Sequence, residues 1–288
     1  MNNIPQLPVS SWIDKFVDWL ASFEGFFNAV TNFIGGIING FQWIFDLLPI
    51  WLFMLLVVGC TYWLNRKTKH WTLIGFEIVG LLYIWNQGFW RDMTQTLTLV
   101  LTSSLIALVI GVPLGIWMGK SKVFETINKP ILDFMQTMPA FVYLIPAVAF
   151  FGIGMVPGVI ASVIFAMPPT IRMTNLGIRQ VPADLIEAAD SYGSTSWQKL
   201  FKVQLPLAKS TLMAGVNQSM MLSLSMVVIA SMIGAMGLGN KVYFAVGRND
   251  AGGGFAAGLA IVILAIILDR ITQAINRSKI LSHRRGFI

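Results

Sequence analysis

Charged residues, cysteines and histidines are all scarce in this chain of 288 residues. Only 11% of the residues are charged and 56% are hydrophobic, whereas a soluble globular domain carries about 25% charged residues. The single cysteine, Cys60, excludes an internal disulfide. The only histidines, His70 and His283, are too far apart in sequence to build a Cys/His zinc site or a haem-attachment motif. We therefore expect a membrane protein that holds no cofactor of its own.

The charges that are present are mostly basic, which gives a net charge of +7. A basic soluble protein could bind nucleic acid, but here the basic residues separate apolar runs, so their positions indicate orientation in a bilayer. We expect the lipid bilayer as a partner and no nucleic acid. The sequence also contains no Walker motif, so the chain itself is not expected to hydrolyse ATP.

The N-terminal segment, residues 1–45, has the pattern of an amphipathic helix. Large apolar residues recur at steps of three or four from Trp12 to Phe45, and acidic residues such as Asp14 interrupt them. This pattern differs from that of a cleavable signal peptide. We predict an extracytoplasmic segment that lies along the membrane interface, with an additional span as the alternative. The pair Gly35-Gly36 is predicted to break the helix.

Seven membrane helices are predicted from residue 46 onward, because about 20 apolar residues at ~1.5 Å each cross a ~30 Å hydrocarbon core. The predicted spans are 46–64, 71–90, 94–119, 137–154, 156–171, 211–236 and 253–274. The expected fold is therefore an all-α polytopic membrane protein. We divide it into two peripheral helices at 46–93, a core domain at 94–274 with a long loop at 172–209, and a basic tail at 275–288.

Basic clusters lie in alternate loops, which are predicted to be cytoplasmic. These clusters are Arg66, Lys67 and Lys69; Lys120, Lys122 and Lys129; Arg172, Arg179, Lys199, Lys202 and Lys209; and Arg277, Lys279, Arg284 and Arg285. With an odd number of spans, the N-terminus is then outside and the C-terminus is in the cytoplasm.

Two acidic residues fall within the predicted spans. Glu77 lies only ~9 Å from the cytoplasmic end of its helix, so we expect it to snorkel or to pair with a loop cation, with a proton relay as the alternative. Asp269 is followed by Arg270, and we expect a boundary ion pair there.

The loop at 172–209 has the pattern of two short helices joined at a glycine. Asp184 is predicted to cap the first helix, Ala188 and Ala189 form its small face, and Gly193 stands where a left-handed residue would end it. The second helix is predicted to begin near Trp197 and to stop before Pro206. Such an elbow has the shape of a protein interface.

The elbow also carries a motif with defined spacing. Glu187-Ala188-Ala189, three residues, Gly193, nine residues, Val203, one residue and then Leu205-Pro206 matches the EAA-x3-G-x9-I-x-LP signature of ABC-importer permease subunits, with Val203 in place of isoleucine. The likeness extends from about Leu97 to Arg270. The chain resembles in particular the permeases of glycine betaine/proline betaine importers.

This resemblance implies a type I ABC importer permease fold and several partners. They are a second copy of the permease, two cytoplasmic ATPase subunits that bind ATP and Mg²⁺, and an extracytoplasmic substrate-binding protein. It also implies that the residues coupling the chain to the ATPase are Glu187, Ala188, Ala189, Gly193, Leu205 and Pro206, with no catalytic role. The substrate stays open among glycine betaine, proline betaine, carnitine and choline.

Two other classes of function are alternatives to an import permease. An ion-coupled secondary transporter or channel would need carboxylates or paired broken helices inside the membrane, and the sequence offers Glu77 alone. A membrane enzyme would need a cluster of histidine, aspartate, serine or cysteine, and no such cluster is evident.

Overall fold

The computed structural model describes residues 8–65 and 71–283, and in the last helix the side chains up to Ile275. Within these ranges the chain forms helices and no strand. The α-helices are α1 Val9–Ala21, α2 Glu24–Leu47, α3 Ile50–Asn65, α4 Trp71–Asn86, α5 Trp90–Lys120, α6 Lys122–Thr137, α7 Leu144–Phe151, α8 Met155–Arg179, α9 Ala183–Ser191, α10 Ser196–Lys199, α11 Leu205–Ser231, α12 Leu238–Gly247 and α13 Ala251–His283. A 3₁₀ turn, Ala140–Tyr143, precedes α7, and a π-helical segment, Leu200–Gln204, joins α10 to α11.

Four helices of the described ranges are long and apolar enough to cross a membrane, namely α5, α8, α13 and the continuous stretch Ser196–Ser231. Two helix pairs also qualify when each is taken as one span: α2 with α3, bent by 103°, and α6 with α7, bent by 107°. α4 is a shorter apolar helix. The protein is thus an all-α membrane protein, as predicted.

The bounds predicted for the fourth span, 137–154, are wrong. α7 alone has 8 residues and covers only ~12 Å, so it is long enough to cross the membrane only when it is taken together with α6. The break falls at Met138, whose extended backbone (ψ 135°) is the conformation that a following proline imposes. The predicted span began at residue 137 and so left out the amphipathic α6 before it.

The core is a close packing of α5, α8 and α11. Gly111, Gly115 and Gly119 line the face of α5 that contacts α8. A Cβ atom at Gly115 would lie 2.7 Å from the carbonyl oxygen of Ile171 and 2.5 Å from Cβ of Thr174. Small residues that let two backbones approach this closely are typical of helix pairs in membranes.

The N-terminal helix α2 packs on this core. α2 contacts α5 and α8, and it buries Ile34 and Ile38. It continues through Gly35 and Gly36, so the break predicted there is wrong. Burial of the two neighbouring isoleucines outweighs the cost of about 1 kcal/mol that each glycine adds to a helix.

Both acidic residues predicted within spans have partners other than those expected. Glu77 is fully buried and accepts a hydrogen bond from the Thr61 hydroxyl at 2.9 Å, so it does not snorkel. Its predicted partners, the cations near residue 66, lie outside the described residues. Among the described side chains, Asp269 pairs with Asn217 at 2.9 Å and with Gln273, and not with Arg270. Consecutive residues of a helix do not face each other, which explains why the predicted ion pair is wrong.

Several basic residues lie together at one end of the bundle. Met118, near the end of α5, accepts a hydrogen bond from Arg179, which ends α8, and Leu200 packs beside Ile178 there. Lys120, Arg179 and Lys199 therefore share the end of the bundle that carries α9 and α10. The basic side chains around residue 66 and beyond residue 275 lie outside the described side chains.

Candidate functional site

The segment from Pro182 to Gln204, named here the elbow, projects from the end of the bundle. Its first helix, α9, begins after Pro182, which is the N-cap residue, and no side chain of the described residues accepts a capping hydrogen bond there. The cap predicted at Asp184 is therefore wrong, because the extended backbone of Pro182 already fixes the start of the helix. Asp184 lies in the first turn instead, where the helix dipole favours a negative charge.

The left-handed residue predicted at Gly193 is confirmed. Gly193 has φ +72°; its N–H donates to the carbonyl of Asp190 at 2.9 Å, and the N–H of Ser194 donates to the carbonyl of Ala189 at 3.0 Å. These two bonds form a Schellman motif, which satisfies the last carbonyls of α9. No described atom lies within 4 Å of a Cβ built at Gly193, so the backbone conformation alone requires glycine.

The second half of the elbow begins with a capping box. The Thr195 hydroxyl accepts from the N–H of Gln198 at 3.3 Å, and Oε1 of Gln198 accepts from the N–H of Thr195 at 2.8 Å. The Thr-x-x-Gln spacing is a sequence signal for this cap, and the prediction of a second helix near Trp197 did not include it. Lys199 Nζ then lies 2.5 and 2.8 Å from the two Asp190 carboxylate oxygens, which fixes α10 against α9.

The helical stop predicted before Pro206 is wrong. The N–H of Leu205 donates to the carbonyl of Leu200, five residues back, so the chain passes through a π turn into α11. Pro206 occupies the first turn of α11, where its missing N–H would have no intrahelical partner. The elbow is consequently continuous with a membrane helix.

The predicted coupling residues lie on different sides of the elbow. Glu187, Ala188 and Gly193 are exposed, and Ala189 is half-buried. Leu205 is half-buried beside Leu200, which is itself buried between α8 and α11. Leu205 thus anchors the elbow to the bundle rather than facing outward, whereas Pro206 is exposed.

The outer surface of the elbow also presents aromatic side chains that the motif does not include. Tyr192 is 91% exposed and Trp197 is 69% exposed. Trp197 stacks on Phe201, with ring centroids 5.4 Å apart and planes at 8°. Aromatic side chains on a polar projection of this kind are typical of protein interfaces.

The chain belongs to the family described as binding-protein-dependent transport system inner membrane component, which matches residues 111–280. It is 78% identical to the glycine betaine/carnitine transport permease protein GbuB of Listeria monocytogenes, over 96% of this chain and 98% of the relative. It is 54% identical to the glycine betaine transport system permease protein OpuAB of Bacillus subtilis, over 97% of this chain and 98% of the relative.

The fold agrees with this family. The chain resembles a chain of the inward-facing MetNI methionine ABC transporter with a TM-score of 0.60 and 23% identity, over 66% of this chain and 94% of that chain. The protein therefore has the fold of an ABC importer permease, and its family gives it a role in transport.

Proposed function

We propose that this chain is the permease subunit that forms the membrane path of an ATP-driven importer for quaternary ammonium osmoprotectants. The observation that carries this proposal is the 78% identity, over nearly the full length of both chains, to a permease named for glycine betaine and carnitine. A second relative in Bacillus subtilis, also covered over nearly its full length, is named for glycine betaine. Glycine betaine is accordingly the first substrate to test, followed by carnitine.

The elbow is the surface that would receive a cytoplasmic ATPase subunit, which would bind ATP and Mg²⁺. Its exposed Glu187 and Ala188 lie on a short helix, and Tyr192 follows at its end. Small side chains let a partner's backbone come close, and exposed aromatic residues often carry much of the binding energy at an interface. A second copy of the permease would give a twofold assembly with two ATPase subunits.

The connections of the elbow support a mechanical role. Leu200 is 4% exposed and packs between α8 and α11, and the π turn carries the backbone from α10 into α11. Displacement of the elbow by the ATPase would therefore be passed to the membrane helices as a rigid-body motion. An extracytoplasmic binding protein would supply most of the substrate affinity, by aromatic contacts worth ~0.5–2 kcal/mol each.

The orientation of the protein in the membrane follows from the basic residues at the end of the bundle that carries the elbow. Lys120, Arg179 and Lys199 would lie in the cytoplasm by the preference for positive charge inside. α1 and α2 then belong to the outer side, and the 103° bend between α2 and α3 is compatible with α2 lying across the membrane surface.

The position of Glu77 does not favour an ion-coupled transporter. Glu77 lies on the peripheral α4, is fully buried and bonds to Thr61 of the neighbouring α3. An ion-coupling carboxylate is expected where it faces the bundle interior along a substrate path or lines a water-filled cavity.

Reconstitution of the whole complex in vesicles tests the proposal. We expect uptake of radiolabelled glycine betaine that requires ATP on the elbow side and the binding protein on the other side, and that survives dissipation of proton and sodium gradients. Uptake that persists without ATP and stops when an ion gradient is removed would contradict it.

A further inference from the structure

A cluster of charged and polar side chains joins the start of α6 to the end of α8. Glu125 is 7% exposed, and its Oε1 lies 3.0 Å from Lys129 Nζ and 3.3 Å from Asn175 Nδ2. Its Oε2 is paired with the Arg179 guanidinium. Arg179 Nε also donates to Asn175 Oδ1 at 3.0 Å. We refer to Glu125, Lys129, Asn175 and Arg179 as the Glu125 cluster.

Arg179 extends this cluster to a third helix. Its Nη2 donates to the carbonyl of Met118 at 3.3 Å, in the last turn of α5, where carbonyls lack an intrahelical donor. Arg179 is also the last residue of α8, and α9 of the elbow begins at Ala183. The cluster therefore sits where the elbow meets three membrane helices.

A second ion pair joins the same two helices, but it is exposed to solvent. Arg172 Nη2 is 2.5 Å from Asp133 Oδ1, with side chains 40% and 67% exposed. Next to this exposed pair in the chain, Leu132 of α6 and Ile171 of α8 are buried in one apolar cluster. α6 is thus attached to α8 along its length, in antiparallel orientation.

The two pairs differ in the burial of the carboxylate and not of the arginine: the Glu125 side chain is 9% exposed and that of Asp133 is 67% exposed, whereas those of Arg179 and Arg172 are 39% and 40% exposed. A carboxylate removed from water is stable only while its donors stay in place, and loss of one partner leaves an uncompensated charge. An exposed pair can separate and be solvated at little cost. The Glu125 cluster therefore permits one arrangement of α6 relative to α8, whereas the Asp133–Arg172 pair tolerates several.

We propose, on the basis of the function proposed above, that the Glu125 cluster makes α6 move with α8 as one body. The helix pair α6 and α7 then follows the elbow when the elbow is displaced. Glu125 and Arg179 are positioning residues in this scheme, and neither touches the substrate. Without the cluster, motion of the elbow would displace α8 and α11, and α6 and α7 would not move with them.

The first test compares Glu125→Gln and Arg179→Gln with the control Asp133→Asn in the complete complex with its ATPase and binding protein. The readout is glycine betaine taken up per ATP hydrolysed. We expect a fall of about tenfold or more for the two cluster variants, with ATP hydrolysis retained, and a ratio within about twofold of wild type for the exposed control. An unchanged ratio in both cluster variants would overturn the proposal.

A second test does not depend on recovery of those variants. In a Cys60→Ser background, Asp133→Cys and Arg172→Cys are joined by a short bifunctional thiol reagent that dithiothreitol reverses. If α6 and α8 move together, the joined complex keeps its uptake; loss of uptake on joining, restored by reduction, would show that the helices must slide and would overturn the inference. Absence of ATP-driven uptake in the wild-type complex would contradict the function itself, so the two failures are distinguishable.

Discussion

At the scale of single residues, Gly193 controls the bend of the elbow. Its φ of +72° costs an L-residue about 1–2 kcal/mol, and more for a β-branched side chain. We expect Gly193→Val to reduce the amount of ATPase recovered with the permease more than Gly193→Ala does. The measurement is co-purification of the two subunits from membranes.

Gly36→Ala is the matched control for these variants. Gly36 lies inside α2, and no described atom lies within 4 Å of its Cβ position, so alanine should stabilise the helix by about 1 kcal/mol or leave it unchanged. Equal losses for Gly193→Ala, Gly193→Val and Gly36→Ala would show that the left-handed conformation is not what matters.

Residue spacing predicted Gly193 correctly because a short helix that turns sharply needs one residue with positive φ. The helix cap that spacing predicted at Asp184 and the helical stop that it predicted before Pro206 are wrong for a different reason. The extended backbone of Pro182 starts α9 without a side-chain cap, and a π turn lets the helix pass Pro206. The π turn has no sequence signal of its own, and Leu200, its first residue, is buried against residues of α8 and α11 that lie elsewhere in the chain.

At the scale of helices, the contact between α5 and α8 depends on glycine. A Cβ at Gly115 would lie 2.7 Å from a backbone oxygen of α8, and overpacking of this kind costs about 1–3 kcal/mol. Gly115→Ala should lower the melting temperature of the purified complex. Gly258→Ala in α13, where no described atom lies within 4 Å of the Cβ position, should not. Equal changes in melting temperature for the two variants would mean that moving α5 away from α8 costs no free energy.

The N-terminal helices give a test of sidedness. Ser22 and Asn32 are both exposed, so Ser22→Cys and Asn32→Cys in a Cys60→Ser background should react with an impermeant thiol reagent added outside intact cells. Labelling of both sites only from the cytoplasmic side would reverse the topology derived from the basic loops.

Hydrophobic length predicted where most membrane helices lie, because a run of about 20 apolar residues has few other stable environments. It could not predict the junction of α6 and α7, since α6 is amphipathic and carries the buried Glu125, whose partners include Asn175 and Arg179 of α8. It also missed α12, Leu238–Gly247, in the connection before α13. Both elements depend on contacts between residues far apart in sequence.

At the scale of the whole molecule, the motif around Glu187 was enough to predict the family, because its spacing reflects one short elbow. The connection of that elbow to the rest of the bundle was not predictable. Asn175 and Glu125 are 50 residues apart in sequence, and nothing in either segment indicates the other. The structure adds two contacts that the proposed transport mechanism uses, one through Leu200 to α11 and one through Arg179 to α5 and α6.

Substrate uptake by the double variant Gly193→Val, Glu187→Lys, in vesicles that contain the complete complex, tests the central claim most directly. Both residues lie on the exposed elbow, so membrane insertion and the amount of permease should match wild type. The account predicts loss of glycine betaine uptake, with loss of the ATP hydrolysis that substrate stimulates. Full uptake by the double variant would contradict a coupling role for the elbow and would reopen the case for an ion-coupled transporter.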